Sequence, residues 1–302
     1  MRIAFAGLHS GEEPPIAGKN GSGTIFFSGC TLACSFCQNC QISHEGMGRD
    51  ASIPEFTSIC LRLAARGAEN INLVTGTHFI PSIVEGIHEA RKSGLSIPVV
   101  WNSSSWENRI GLELLKDTVD IYLPDIKTFD ADLSSHSFSA ARYPELAQKA
   151  IKLMLRNAPL SSYNEHGEEL NGKSALTAIC SDPLKNRMKR GLILRHLVLP
   201  ERLSDTAHIL SWYAKQLDGA VILSLMTQYS PVGDPEKLPA TRFLNNDEYE
   251  ALTQLLCDYD IDEGFFQELL PGNDWLPDFT RKNPFSATLS IPIWHWREGF
   301  LP

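Results

Sequence analysis

Gly23-Thr24-Ile25-Phe26-Phe27, followed at once by Ser28-Gly29-Cys30-Thr31-Leu32-Ala33-Cys34-Ser35-Phe36-Cys37-Gln38-Asn39-Cys40, is the stretch on which the reading of this chain turns. After Gly23 its first half is a run of β-branched and aromatic residues, the pattern of a strand buried on both faces. Its second half carries four thiols within eleven residues. Thiolates are the usual protein ligands of iron–sulfur clusters. Three of them, at Cys30, Cys34 and Cys37, can wrap one cubane from a single loop, which leaves the fourth iron to Cys40 or to no protein ligand. A structural zinc site normally takes four ligands in two separated pairs. No second pair exists here, although His44 could complete such a site.

Outward from this stretch, short apolar runs alternate with helical patterns. Further strands are expected at 71–75, 97–101, 119–123, 192–199 and 221–225, and helices at 54–67, 80–93, 106–116, 144–157, 204–217 and 246–258. Ser52 is a candidate cap for the first helix and Gly94 a terminator for the second. Continuous apolar strands, each followed by a helix, imply a parallel sheet covered by helices. Six such units predict an α/β fold, a partial (β/α)6 TIM-like barrel over residues 23–268, with function at the C-terminal ends of the strands. Three segments break the alternation. Residues 1–22 read as an irregular N-terminal extension, and 158–190 as an inserted loop or hairpin. Residues 269–302 read as a tail that packs on the domain; its five prolines and three tryptophans show no periodicity.

The composition narrows the function classes. Of 302 residues, 43% are hydrophobic, enough for a sizeable core, and the net charge is −9. An acidic chain without a basic run is a poor nucleic-acid or anionic-membrane binder. Its longest apolar runs are strand-sized, far below the ~20 residues that span a bilayer. The apolar start Met1 to Gly7 is too short for a signal peptide. Seven cysteines, an odd number and mostly clustered, argue for ligation rather than a disulfide framework. The chain therefore reads as cytoplasmic. Cys60, Cys180 and Cys257 read as ordinary thiols.

The spacing Cys30-x3-Cys34-x2-Cys37, with Phe36 before the third cysteine and a strand directly before the first, resembles the signature of the radical S-adenosylmethionine (SAM) superfamily. The wider stretch Gly21–Cys30 and Cys37-Gln38-Asn39 is similar to its pyruvate formate-lyase activating enzyme-like branch. So are Asn72-Leu73-Val74-Thr75, Asp120 to Lys127 and Arg195 to Pro200, and the likeness runs from about residue 9 to 268. The resemblance implies that Cys30, Cys34 and Cys37 bind three irons of a 4Fe-4S cluster while SAM chelates the fourth. An electron donor such as flavodoxin or ferredoxin would then trigger cleavage of SAM to methionine and a 5′-deoxyadenosyl radical. That radical would take hydrogen from a glycyl-radical protein, or from a peptide or small molecule. The family's residue at position 40 is typically aromatic, which makes Cys40 a bystander.

Polar residues follow each expected strand, as a cofactor cradle requires. Thr75-Gly76-Thr77-His78 occupies the place of a glycine-rich segment whose backbone, in related enzymes, receives the methionine amino group; the usual acidic third residue is absent. Asn102 and Ser103 suit hydrogen bonding to a ribose or carboxylate, or equally a turn and helix cap. Asp125 and Lys127 point to one face by strand alternation, and form an ion pair or approach the cofactor. The resemblance places Arg195 near SAM; a structural pair with Asp125 or Asp120 is the alternative. His196 faces away and reads as structural. The resemblance further sets Phe36 by the adenine, and Gln228 and Tyr229 by the ribose or adenine. A non-catalytic zinc or iron–sulfur scaffold is the rival from another class.

Overall fold

The computed structural model describes residues 1–269, 272–273 and 275–302. Thirteen strands are found among them: β1 (Arg2–His9), β2 (Ser22–Phe27), β3 (Arg49–Asp50), β4 (Ile71–Val74), β5 (Val99–Ser103), β6 (Ile121–Pro124), β7 (Ser161–Tyr163), β8 (Glu169–Asn171), β9 (Arg187–Leu197), β10 (Ile222–Met226), β11 (Gly264–Phe266), β12 (Ser290–His295) and β13 (Gly299–Phe300). The sheet runs β11-β10-β9-β6-β5-β4-β2-β1-β12-β13 and stays open. From β2 to β11 every neighbouring pair is parallel, and these strands form the partial barrel that the apolar runs imply. The short β11 is a seventh parallel strand that the sequence pattern does not disclose.

Alternation within the strands sends side chains to two cores. Leu73, Trp101, Tyr122, Leu192, Leu194 and Leu223 join the helix-covered core, which contains Phe56, Ile59 and Leu63 of helix Ile53–Ala65 and Ile83 and Ile87 of helix Ile80–Lys92. Val100, Ile121, Leu123, Ile193 and Ile222 face the other way, into the lumen. The expected cap holds: the Ser52 side chain accepts the Glu55 amide. The helix expected from 106 begins instead at Arg109, because Asn108 caps it by accepting the Gly111 amide at 2.8 Å. Trp106 and Glu107 thereby stay in the loop at the β5 strand end.

The two flanking segments are more ordered than their composition suggests. Residues 2–9 form β1, antiparallel to β2 on one side and to β12 on the other, where Phe5 pairs with His295. Helix Pro14–Ala17 follows, and its Ile16 packs into the lumen core beside Val100 and Ile193. Asn70, just before β4, donates to the Ile16 carbonyl at 2.7 Å, so this helix closes the lumen at the N-terminal end of the strands. The 158–190 region folds as the β7–β8 hairpin and helix Gly172–Ser181; Ala175, Leu176 and Ile179 join the same core. From the tail, buried Phe279 stacks edge-on against Phe26 at 5.5 Å, with Phe285 and Phe5 completing the cluster. Gln41 clamps this tail by accepting the Phe279 amide at 2.7 Å. Among the described residues no helix is long and apolar enough to cross a membrane.

Candidate active site

The cysteine loop leaves β2 through Gly29, whose φ of +87° an L side chain rarely adopts. Tight turns follow: the Cys37 amide donates to the Cys34 carbonyl at 3.1 Å and the Cys40 amide to that of Cys37 at 3.2 Å. The loop is pinned at both ends, by the Gly29 amide on the Ile42 carbonyl and the Ser35 amide on the Ser137 carbonyl. This winding gathers Cys30, Cys34 and Cys37 closely enough that their charges would interact. Cys40 opens the helix Cys40–Ser43 and lines an outer cleft with Cys37, His44 and His136.

Burial pushes the Cys34 thiol up to about 12, against the pull of the Lys127 ammonium. Burial also raises Cys37, opposed by a hydrogen bond with the Ser43 hydroxyl at 3.2 Å. A buried thiol that resists ionisation on its own loses its proton when a metal centre takes up the thiolate, the proton passing to solvent. Cys60 is raised by burial as well, but no neighbouring thiol or ammonium acts on it. The gathered trio beside Lys127 therefore stands apart from an ordinary buried cysteine. Three thiols of this kind on one loop are the donor set a 4Fe-4S cluster takes. Among the described residues no Cys, His, Asp or Glu trio closes around a single metal-ion position.

Around this loop the strand ends supply polar groups, though many are already engaged. Phe36 is buried between Phe138 and Tyr229, with ring centroids 6.4 and 6.1 Å away. The Tyr229 hydroxyl donates to the Ala240 carbonyl at 2.6 Å, so its ring rather than its hydroxyl remains for contact. Gln228 ties the cysteine loop to the β10 end: its carbonyl accepts from Gln38 and its side chain from Gln267. Thr75 sits at φ +59°, a rare conformation for a β-branched residue. Its amide donates to the Asn102 carbonyl at 2.9 Å. Gly76 lies under Trp101 and Ile83, where a Cβ would come within 2.6 Å of Ile83 Cδ1. Thr77 donates to Glu107 Oε1 at 2.8 Å, and the Trp101 indole donates to the same oxygen at 3.4 Å.

Asp125 and Lys127 do share a face, with Lys127 Nζ 2.9 Å from Asp125 Oδ2. Desolvation alone would lower the Lys127 pKa; the Asp125 and Cys34 charges outweigh it and hold the ammonium charged. Arg195 reaches the lumen, 4.0 Å from Asp125. Its nearer partners were not foreseen: Glu13 at 3.1 Å and Glu12 at 3.5 Å, both carried up by the N-terminal segment. Burial raises the Glu12 pKa despite Arg195 and an Asn72 hydrogen bond. Ser224 donates to Glu13 Oε1 at 2.8 Å. The result is a line of alternating charge, Glu13–Arg195–Asp125–Lys127, running from the lumen floor to Cys34. His196 is structural as expected, its two ring nitrogens bonded to the Ile126 carbonyl and the Thr206 hydroxyl. Sequence reasoning missed Glu12, Glu13 and Glu107. The only signals were an acidic pair just before a helix-starting proline, and a Glu directly before an Asn suited to capping.

Residues 24–159 match the Radical SAM superfamily. An uncharacterized protein of Methanocaldococcus jannaschii is 30% identical over 268 residues, covering 84% of this chain and 67% of that one. Methylornithine synthase has a similar fold, with a TM-score of 0.50 at 14% identity over 78% of this chain and 62% of that one. SuiB of Streptococcus suis, solved with S-adenosylmethionine, gives a TM-score of 0.47 at 11% identity over 81% of this chain and 51% of that one. The chain thus spans about half the length of SuiB.

Proposed function

Since the chain belongs to the radical SAM superfamily, whose members use a 4Fe-4S cluster and SAM, we propose that it is an activating-type enzyme that takes an α-hydrogen from a glycine of a partner protein. The observation that carries the reading is the trio Cys30, Cys34 and Cys37, gathered on one loop above the lumen and facing Lys127. A cluster held by Cys30, Cys34 and Cys37 would supply the electron for reductive cleavage of SAM. The protein's own part is to bind, orient and exclude water.

Each residue then has a place in that task. Cys30, Cys34 and Cys37 hold the cluster, and Cys40 does not. Lys127, kept charged by Asp125, offsets negative charge at Cys34. The backbone of Thr75, Gly76 and Thr77 receives the methionine amino end, and Arg195, fixed by three carboxylates, faces its carboxylate. Asn102, Ser103 and Gln228 edge the ribose, and Phe36 with the Tyr229 ring flanks the adenine. Helix Pro14–Ala17 below and Phe279 at the side keep the lumen dry. The reductant is a flavodoxin- or ferredoxin-type carrier in a reducing cytoplasm. The activating role rests on the long stretches around Gly21–Cys30, Asp120–Lys127 and Arg195–Pro200 that resemble that branch.

Anaerobic reconstitution tests the reading in two stages. About four irons and four sulfides per chain, with methionine and 5′-deoxyadenosine formed on reduction, support the enzyme; zinc without cleavage refutes it. Deuterium passing into 5′-deoxyadenosine from glycine-labelled partner protein supports the activating role. Transfer from a labelled peptide or small molecule instead would make the protein a modifier.

A further inference from the structure

Glu107 is a carboxyl with no cation beside it, 6% exposed and set in the loop between β5 and helix Arg109–Leu115. Among the described residues no Lys or Arg forms a salt bridge with it. Its Oε1 accepts from the Thr77 hydroxyl at 2.8 Å and the Trp101 indole at 3.4 Å. Oε2 has no partner. Burial raises its pKa, so the two donors hold a carboxyl that the surroundings would rather keep neutral. An uncompensated buried carboxyl is costly, and a chain keeps one only where its bonds matter.

Those bonds join two strand ends. Thr77 belongs to the loop after β4, and Trp101 lies near the end of β5. The β4 loop is strained at Thr75, where φ is +59°. A β-branched residue there costs about 1–3 kcal/mol and keeps its conformation only when the surroundings over-determine it. Three contacts do so. Thr75 is bonded to Asn102, Thr77 is bonded to Glu107, and Gly76 is pressed under the Trp101 ring, whose indole nitrogen is itself held by Glu107. Two of these three converge on one carboxyl.

We propose that Glu107 is the positioning residue of the SAM cradle, holding the Thr75–Thr77 loop in its strained, receptive shape through Thr77 and Trp101. The inference rests on the radical SAM reading and assigns Glu107 no contact with SAM. It would act from the outer side of the sheet, where a groove of about 530 Å³ lined by Glu107, Trp106, Ile110 and Leu146 reaches Thr31 of the cysteine loop.

The test compares Glu107→Gln, which keeps an acceptor oxygen and the size, with Glu107→Leu, which keeps the bulk and loses every acceptor. Thr77→Val removes one donor only and serves if Glu107→Leu does not fold. Each protein is reconstituted anaerobically and measured for iron content, equilibrium SAM binding, and KM against kcat for 5′-deoxyadenosine release. Loss of the Thr77 and Trp101 bonds should raise the SAM Kd and KM of Glu107→Leu by about tenfold, the equivalent of one good hydrogen bond. Iron content and kcat at saturating SAM should hold, Thr77→Val should shift part of the way, and Glu107→Gln should rescue. Unchanged SAM affinity in Glu107→Leu or Thr77→Val would overturn the proposal, as would failure of Glu107→Gln to rescue. A wild-type protein that acquires its cluster yet binds no SAM would instead sink the functional reading itself.

Discussion

Replacing Arg195 with Met tests the charge line through the lumen. The guanidinium is 14% exposed, and Glu12 and Glu13 beside it are each 6% exposed. Methionine keeps most of the bulk and leaves these carboxyls without their cation. Breaking a buried pair from one side costs about 3–5 kcal/mol. In a chain this long each kcal/mol moves Tm by roughly 2 °C, so a fall of about 6–10 °C is expected. The loss depends on pH. Glu12 has a folded-state pKa raised first by burial, with Arg195 the largest influence pulling it down. Without Arg195 the pKa rises further. A carboxyl whose folded pKa exceeds its unfolded value costs nothing below the unfolded value and costs stability as pH climbs through the folded one. The deficit of Arg195→Met should therefore be largest near pH 8 and shrink toward pH 5. Thermal unfolding of cluster-free protein under argon, followed by circular dichroism at both pH values, measures it. A drop below about 2 °C at pH 8, or an equal drop at both, would refute the buried-pair account. Glu12→Gln, which removes the same liability, should gain stability relative to wild type as pH rises.

Cys30→Ala, Cys34→Ala and Cys37→Ala should each abolish SAM cleavage, whereas Cys40→Ala should retain a cluster by iron analysis and visible absorbance. Gly76→Ala places a methyl 2.6 Å from Ile83 Cδ1; overpacking of about 1–3 kcal/mol should appear as a lower Tm together with weaker SAM binding. Phe279→Ala empties the aromatic cluster beside Phe26 and should cost about 3–5 kcal/mol in urea unfolding.

What the sequence disclosed followed from periodicity and from residues with one chemical use. The strands at 71–74, 121–124 and 222–226 are buried throughout or nearly so, and their apolar runs are conspicuous. The thiol spacing and the Asp125–Lys127 alternation are local, and so were legible. The hidden features are long-range. Nothing near Arg195 announces Glu13, which arrives from the other end of the chain and reads locally as part of an acidic turn. Glu107 was concealed because the expected helix start at 106 lies three residues ahead of the observed one, and a helix begun there would send it along a helical face. Asn108 as the cap restores it to the strand end. β1 and β12 escaped notice because each is interrupted in pattern, by Gly7 and by Pro292, and each is a strand only because the other pairs with it.

That pairing also bears on how the protein is made. His9 hydrogen-bonds the Leu289 carbonyl at 2.9 Å across 280 residues. The entropy of closing so long a loop grows only logarithmically, but a translating ribosome takes roughly 15–60 s to supply the intervening chain at 5–20 residues per second. Throughout that interval β1 offers one bare edge, the kind of template on which nascent chains cross-pair. The Phe26 ring beside it also waits for Phe279. Chaperone occupancy during synthesis should therefore concentrate on the segment around β1 and Phe26 until β12 and Phe279 have docked.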